Sequence, residues 1–294
     1  MFRTMAEADL GRVPGLIGRS YDTRNYRPEW TWLATDGDEI KAVAAWWGFP
    51  TGEQPLALDT LYAAPGEADP VAVWAALIRR MPPFDYHLFT TPGGEKDPEV
   101  TQRLAAARAA GLSEIVERLR YEWTAGDPLP RRSTRLTFAA EPDDEAFAKI
   151  FAMISEGSLD AATREGVARL GALEQAREDI AVYKQMRDPR DRWRVAFDRD
   201  GNLVGCALPS ANDGGPVVGY VGVVPEQRGN GYADDLLAEI THMLAEDGAT
   251  TIRADTDRGN TPMAASFERL GYHIFAIRLV ASAPSQPEEG RLGA

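Results

Sequence analysis

The sequence predicts an α/β (α+β) fold built as two copies of one unit, and three observations point to it. Two β-hairpins are marked by period-2 apolar runs joined through a turn containing Asp-Gly. In the first, Trp32-Leu33-Ala34 leads to Asp36-Gly37 and then Ile40 to Trp47; in the second, Trp193, Val195 and Phe197 lead to Asp200-Gly201 and then Leu203 to Leu208. Each hairpin is followed by the same succession of strand-like and helix-like stretches, and each succession ends in a glycine at a helix end, Gly111 or Gly271.

Taken in order, the first half continues with a short apolar run, Ala57 to Tyr62, and a helix-like stretch, Val71 to Met81. The strand-like Tyr86 to Thr91, the helix-like Pro98 to Ala110 and a further run to Trp123 complete it. Thr124 to Ser133 holds Gly126, Asp127, Pro128 and Pro130, which break both periodicities and place the boundary. The expected domains are therefore 1–127 and 128–283, with a disordered tail at 284–294 rich in Pro, Ser, Glu and Gly. The second half opens with helical material from Glu145 to Met186, inserted ahead of its hairpin. It continues with a run from Val217 to Val224, a helix from Tyr232 to Ala245 and a strand from Thr250 to Thr256. A helix from Pro262 to Leu270 and a last strand to Val280 close it. Ala233, Leu236, Leu237, Ile240 and Leu244 fall on one face of their helix, as do Met263, Phe267 and Leu270 of theirs. Gly111 and Gly271 sit where a helix end takes a left-handed residue.

Composition narrows the function. The 294 residues are 44% hydrophobic and 26% charged, with a net charge of −13. That charge repels phosphate backbones and anionic lipid, so neither a nucleic acid nor a membrane is an expected partner. It suits solubility, or a cationic or amine-bearing ligand. Cys206 is the single cysteine, and His87, His242 and His273 are scattered, so no disulfide and no metal site is expected. No apolar run approaches the ~20 residues that span a bilayer, and the expected location is cytoplasmic.

One stretch carries a mechanism. Val221-Gly222-Val223-Val224-Pro225-Glu226-Gln227-Arg228-Gly229-Asn230-Gly231-Tyr232-Ala233 runs from an apolar strand through a glycine-rich turn into an amphipathic helix. The first amides of a helix have no internal acceptors, and the helix dipole adds partial positive charge there. Gly229 and Gly231 let backbone approach a ligand, Arg228 adds a formal charge, and the product suits a pyrophosphate. A P-loop would need Lys-Ser/Thr where Tyr232 and Ala233 stand. A dinucleotide-binding turn would need a small residue at Asp234 and a preceding βα repeat, where this chain has a hairpin. A plain strand-turn-helix whose glycines serve only the turn stays open.

The pattern Val-x-Pro-x-x-Arg-Gly-x-Gly-x-Ala, here Val223 to Ala233, resembles the acetyl-coenzyme A signature of the GNAT superfamily of N-acetyltransferases. A second block, Asp257-Arg258-Gly259-Asn260-Thr261-Pro262-Met263 and then Phe267-Glu268-Arg269-Leu270-Gly271-Tyr272, resembles the family's later motif. The resemblance covers Arg135 to Val280 and implies two GNAT-like acyl-CoA N-acyltransferase domains, each a mixed, mostly antiparallel sheet flanked by helices. The first domain is a degenerate copy: in place of Arg-Gly-x-Gly it reads Ala63-Ala64-Pro65-Gly66-Glu67-Ala68-Asp69-Pro70, and Glu67 and Asp69 oppose a phosphate.

The resemblance further implies acetyl-CoA as co-substrate, without a metal, lying between two splayed strands. Val221 and Val223 would pair with its pantetheine arm. Arg228, Gly229, Asn230, Gly231, Tyr232 and Ala233 would hold the pyrophosphate, and Asn260 would help place the thioester end. A small-molecule amine would attack the thioester while a strand N–H polarises its carbonyl, in a monomer or homodimer. Many members place a tyrosine where this chain has Phe267, which has no proton to give. Tyr220, Ser266 and Glu156 are the catalytic candidates, with Tyr272, His273 and Asp160 behind them; each also reads as a packed or solvated residue. Trp30, Trp32, Trp46 and Trp47 read as strand core or as the lining of an acceptor cleft. Two alternatives stand beside acetyl transfer: a CoA-binding regulatory or structural module that has lost catalysis, and a transferase of a longer acyl group.

Overall fold

The computed structural model describes residues 1–13, 16 and 21–284; of the tail expected at 284–294, residues 285–294 lie outside them. Two compact units form, one from Met1–Glu117 with Ile277–Ala294 and one from Arg118–Ala276.

The first unit begins with β1 (Phe2–Thr4), which the sequence did not announce, paired antiparallel with β2 (Tyr26–Asp36). β2 turns back at Gly37, where a positive φ of 56° suits glycine, into β3 (Glu39–Trp47), forming the expected hairpin. β3 pairs antiparallel with β4 (Ala57–Ala63), and β4 runs parallel to β5 (Asp85–Thr90). Helices α1 (Pro70–Ile78) and α2 (Pro98–Ala109) pack on each other, and α1 lies on β2, β3 and β4. Leu33, Val43 and Ala45 form a buried cluster with Met5, Val13, Leu16 and Tyr26. Trp30 and Trp46 are buried, while Trp32 and Trp47 are half-buried.

The second unit takes its strands from both ends of its sequence. β6 (Glu114–Thr124) contributes Arg118 onward, paired antiparallel with β11 (Thr251–Asp257). The sheet then passes through β10 (Gly215–Val223), β9 (Leu203–Asn212), β8 (Arg194–Phe197) and β7 (Thr137–Ala140). All of these pairings are antiparallel except β10 with β11. The inserted helical segment is three helices, α3 (Asp144–Ser155), α4 (Ala161–Leu170) and α5 (Ala172–Tyr183). Phe147, Phe151, Ile154 and Ile180 from α3 and α5 meet Trp193, Val195, Cys206, Leu208 and Val224 in one buried cluster. α6 (Tyr232–Glu246) lies on β9 and β10, with Leu236, Leu237 and Ile240 fully buried as the period-3.6 pattern requires. α7 (Thr261–Arg269) packs against α6 and β11.

The last strand is where the chain organises itself differently from a simple repeat. β12 (His273–Ser282) starts in the second unit, and from Ile277 onward belongs to the first, pairing Ile277–Ala281 antiparallel with Thr90–Tyr86 of β5.

Candidate functional site

β10 is held on both sides at one end only. Its parallel ladder with β11 is recorded at Val217↔Arg253, early in both strands, while its ladder with β9 runs on to Val223↔Gly205. A register shift between Val218 and Tyr220 bends the strand at Gly219, where a Cβ would lie 2.8 Å from Ser210 and 2.9 Å from the Leu208 carbonyl. Beyond this bulge β10 and β11 part. The Val224 N–H donates to Val204 of β9 at 2.9 Å, so the backbone alternation turns the N–H and C=O groups of Val221 and Val223 away from β9. The Val223 carbonyl accordingly accepts from Arg228 Nε at 3.2 Å on that side. Val221 presents both of its backbone groups to the opening.

The loop after β10 bends through two left-handed residues, Gly229 (φ 82°) and Gly231 (φ 74°), and Gly231 is the N-cap of α6 with no side-chain cap bond. The Asp234 N–H donates back to the Gly231 carbonyl at 3.2 Å, and the amides of Tyr232 and Ala233 are left to a ligand or water. The guanidinium of Arg228 turns back into the protein: NH1 donates to the Glu156 carbonyl and NH2 to the Ile154 carbonyl, each at 2.7 Å. Its charge therefore sits at the C-terminal end of α3, where the helix dipole is negative. The cation at the mouth of α6 is Arg135, to which the sequence reading gave no role. Its NH1 donates to the Asn230 carbonyl at 3.0 Å, it pairs with Asp235, and it lies 4.7 Å over the Tyr232 ring. Asn230 Nδ2 donates to the Gln227 carbonyl at 3.1 Å, and Ala233 is half-buried.

Two carboxylates in the first turn of α6 would oppose a phosphate, and both are paired. Asp235 is held by Arg135, and both oxygens of Asp234 accept from Arg269 at 2.8 Å. Although burial pushes the Asp234 carboxyl up, Arg269 and Ser266 outweigh it and hold it below the usual range. The corresponding helix of the first unit is stoppered by its own acid. The Asp69 side chain accepts from Ala72 N at 3.0 Å, occupying the anion position at the start of α1.

The catalytic candidates are not gathered at one point. Tyr220, on β10 beside Val221, stacks on Phe151 at 4.3 Å, and burial raises its phenol well above the ordinary value. Glu156 follows α3 with an exposed side chain. Ser266 is 1% exposed and accepts from Arg269 NH2 at 3.1 Å, within the Asp234–Arg269 pair. Phe267 is core: Tyr121 stacks on it at 4.9 Å and Tyr272 meets it edge-on at 5.4 Å. Tyr121 donates to Glu268 at 3.2 Å, and burial with that carboxylate pushes its phenol up to about 12. Tyr272 shares its hydroxyl with Thr241 at 2.8 Å, and His273 is exposed. Asn260 is the N-cap of α7, its side chain accepting from Met263 N at 3.4 Å.

Sequence reasoning passed over a cluster at the C-terminal end of β11. Arg118 of β6 pairs with Asp255, with Asp257 at 2.6 Å and with Asp160 at 3.0 Å. Burial works against the guanidinium, and the three carboxylates outweigh it, so its pKa is raised. Asp160 also caps α4 by accepting from Thr163 N, and Asp257 accepts from Ala161 N at 2.6 Å. One arginine thereby fixes the start of α4 against the strand that borders the opening. Its partners lie 42 to 139 positions away in sequence, so no local pattern announces them. No group of His, Cys, Asp and Glu among the described residues is arranged to hold a metal ion, and no helix is long and apolar enough to cross a membrane.

Comparison with known proteins places these features. A GCN5-related N-acetyltransferase from Sphaerobacter thermophilus superposes with a TM-score of 0.61 at 17% identity, covering 97% of each chain. A GNAT-family acetyltransferase from Colwellia psychrerythraea gives 0.54 at 12% identity, over 97% of this chain and 100% of that one. A tandem GNAT protein from the clavulanic acid biosynthesis pathway gives 0.50 at 18% identity, over 88% and 83%. At these identities the likeness establishes the fold. No curated protein sequence matches the chain. Residues 159–272, which include β9, the splayed β10, the glycine turn, α6 and α7, match the acetyltransferase (GNAT) family. Residues 159–272 thus form a domain that resembles the acetyltransferase (GNAT) family.

Proposed function

We propose that the protein transfers acetyl from acetyl-CoA to a primary amine of a small molecule, by direct attack in the half expected at 128–283. The observation that carries this reading is the mouth of α6: two left-handed glycines and uncapped amides stand directly after a strand whose outer backbone groups are open. Backbone amides from Gly229 to Ala233, with Arg135 beside them, would hold the pyrophosphate. Val221 would pair with the pantetheine arm, and an outward N–H of β10 would polarise the thioester carbonyl. Holding amine and thioester together supplies most of the acceleration asked of such a site. The 1–127 half, with Asp69 stoppering α1, would take no cofactor. A cytoplasmic location suits the use of acetyl-CoA.

A second reading, a CoA-binding module without transfer, is favoured by Phe267, which is buried and stacked and offers no proton to a leaving thiolate. Calorimetry and thiol release separate the two. Acetyl-CoA should bind the wild type, and Gly231→Val should weaken it at least ~10-fold, about 1.4 kcal/mol, because a β-branched residue resists φ near 74°. Thiol release that depends on an added amine supports transfer; tight binding without it across an amine panel supports the module. A wild type that gives no binding heat would end both readings.

A further inference from the structure

The inference concerns the acceptor end of the same site, and it rests on the acetyl-transfer reading. α5 and β10 bring three oxygen-bearing side chains together: Asp179, Tyr183 and Tyr220. Asp179 and Tyr183 stand four residues apart on α5 and so share a helix face. The Tyr183 ring meets the Tyr220 ring edge-on at 6.2 Å; burial raises both phenols, and the carboxylates of Asp179 and Asp160 add to it. Tyr220 in turn neighbours Val221, whose backbone faces the opening between β10 and β11.

The three side chains still have bonding capacity. Asp179 Oδ1 accepts from Gln175 Nε2 at 2.8 Å. Among the described residues, Asp179 Oδ2 and the two phenol oxygens enter no hydrogen bond, and all three residues are half-buried. Arg118, the cation that acts on Tyr183, is committed to Asp160, Asp255 and Asp257. Burial pushes the Asp179 carboxyl up to about 6, with Asp160 and Glu178 adding to it against the Gln175 hydrogen bond. A carboxylate so placed lacks a cation, and its surroundings hold acceptors in place of one.

We propose that Asp179, Tyr183 and Tyr220 seat the acceptor's attacking nitrogen as a primary alkylammonium. An ammonium has three N–H donors and no acceptor, which matches the carboxylate oxygen and two phenol oxygens. This assigns the substrate to aliphatic amines, charged at neutral pH, and away from arylamines and alcohols. In the reaction, the ammonium gives one proton to Asp179 and the neutral amine attacks the thioester carbonyl. A C–N bond forms and the C–S bond breaks. A second proton from the nitrogen goes to the leaving thiolate, and Asp179 returns its proton to water. The products are the amide, coenzyme A thiol and one proton.

The test uses n-butylammonium as probe and n-butanol as its uncharged counterpart, titrated by ligand-observed NMR at pH about 8, where the carboxylate and the ammonium are both charged. The full-length wild type should bind the ammonium and not the alcohol. Asp179→Asn should weaken the ammonium at least ~10-fold and Tyr220→Phe about 3-fold, while calorimetry returns an unchanged Kd for acetyl-CoA in both. Circular dichroism melts establish that the variants are folded. The proposal is overturned if the wild type does not bind n-butylammonium, if n-butanol binds equally, or if Asp179→Asn binds the probe as tightly as wild type. Ammonium binding without acetyl-CoA binding would instead remove the transfer reading and, with it, the acceptor role given to the seat.

Discussion

Arg228 shows how pattern and geometry can give one residue different roles. The sequence offers a cation next to two glycines, and a cation there suggests phosphate. In the fold its guanidinium serves three carbonyls, those of Val223, Ile154 and Glu156, and so ties the glycine loop to the end of α3. Arg228→Met should therefore lower the stability of the ligand-free protein, by about 1–2 kcal/mol for an exposed set of charge-assisted bonds. A thermal melt without cofactor measures it. A melt identical to wild type would mean that the three bonds carry no weight and that the charge serves a ligand alone. Gly222 makes a complementary point, because a Cβ there would meet Ile154 at 2.6 Å and Tyr220 at 2.7 Å. Its smallness lets α3 sit against the strand beside the opening. Neither demand can be read from the neighbouring sequence, since Ile154 lies 68 residues before Gly222 and 74 before Arg228.

At the scale of elements, the helices that follow β4 and β10 differ in who occupies their first amides. In α6 the N-cap is Gly231 and the amides are free of side-chain caps; in α1 the Asp69 carboxylate fills the place. The sequence reading that Glu67 and Asp69 oppose a phosphate thus acquires a mechanism: the acid caps its own helix. Asp69→Ala should cost about 1 kcal/mol of stability through the lost cap, and acetyl-CoA affinity should stay at the wild-type value. Urea unfolding and calorimetry check the two halves of this statement, and a changed affinity would place cofactor at α1. Element types were largely legible, because the hairpins, the helix faces and the capping glycines are written in local periodicity. β1 and β7 were not. β1 is three residues long and β7 four, too short for an alternation to register, and each exists because a neighbouring strand offers it an edge.

For the whole molecule, the exchange of β12 matters most. The sequence suggests that each half keeps the strand that follows its last helix, and the compact units are drawn otherwise: residues from Ile277 onward pair with β5. A chain of residues 1–117 alone therefore leaves the Tyr86–Thr90 edge unpaired, and unpaired edges recruit other strands. Such a fragment should self-associate on gel filtration, and joining Ile277–Ser282 to its end should return it to a monomer. A monomeric 1–117 would mean that the β5 edge needs no partner.

The sequence by itself determined the repeated hairpin-led unit, the glycine turn that opens α6, the acid at the start of its counterpart, and the likeness to the GNAT family. All of these are local: they depend on period, on left-handed backbone and on charge within a few residues. Only the tertiary structure decided that Arg228 serves α3 and that Arg135 stands at the helix mouth in its place. It also decided that Arg118 gathers three carboxylates, that Tyr183 meets Tyr220, and that β12 changes units. Each of these joins groups far apart along the chain, and what fixes them is the edge left open, the charge left unpaired and the space left by a missing Cβ, which exist only once the strands and helices have packed.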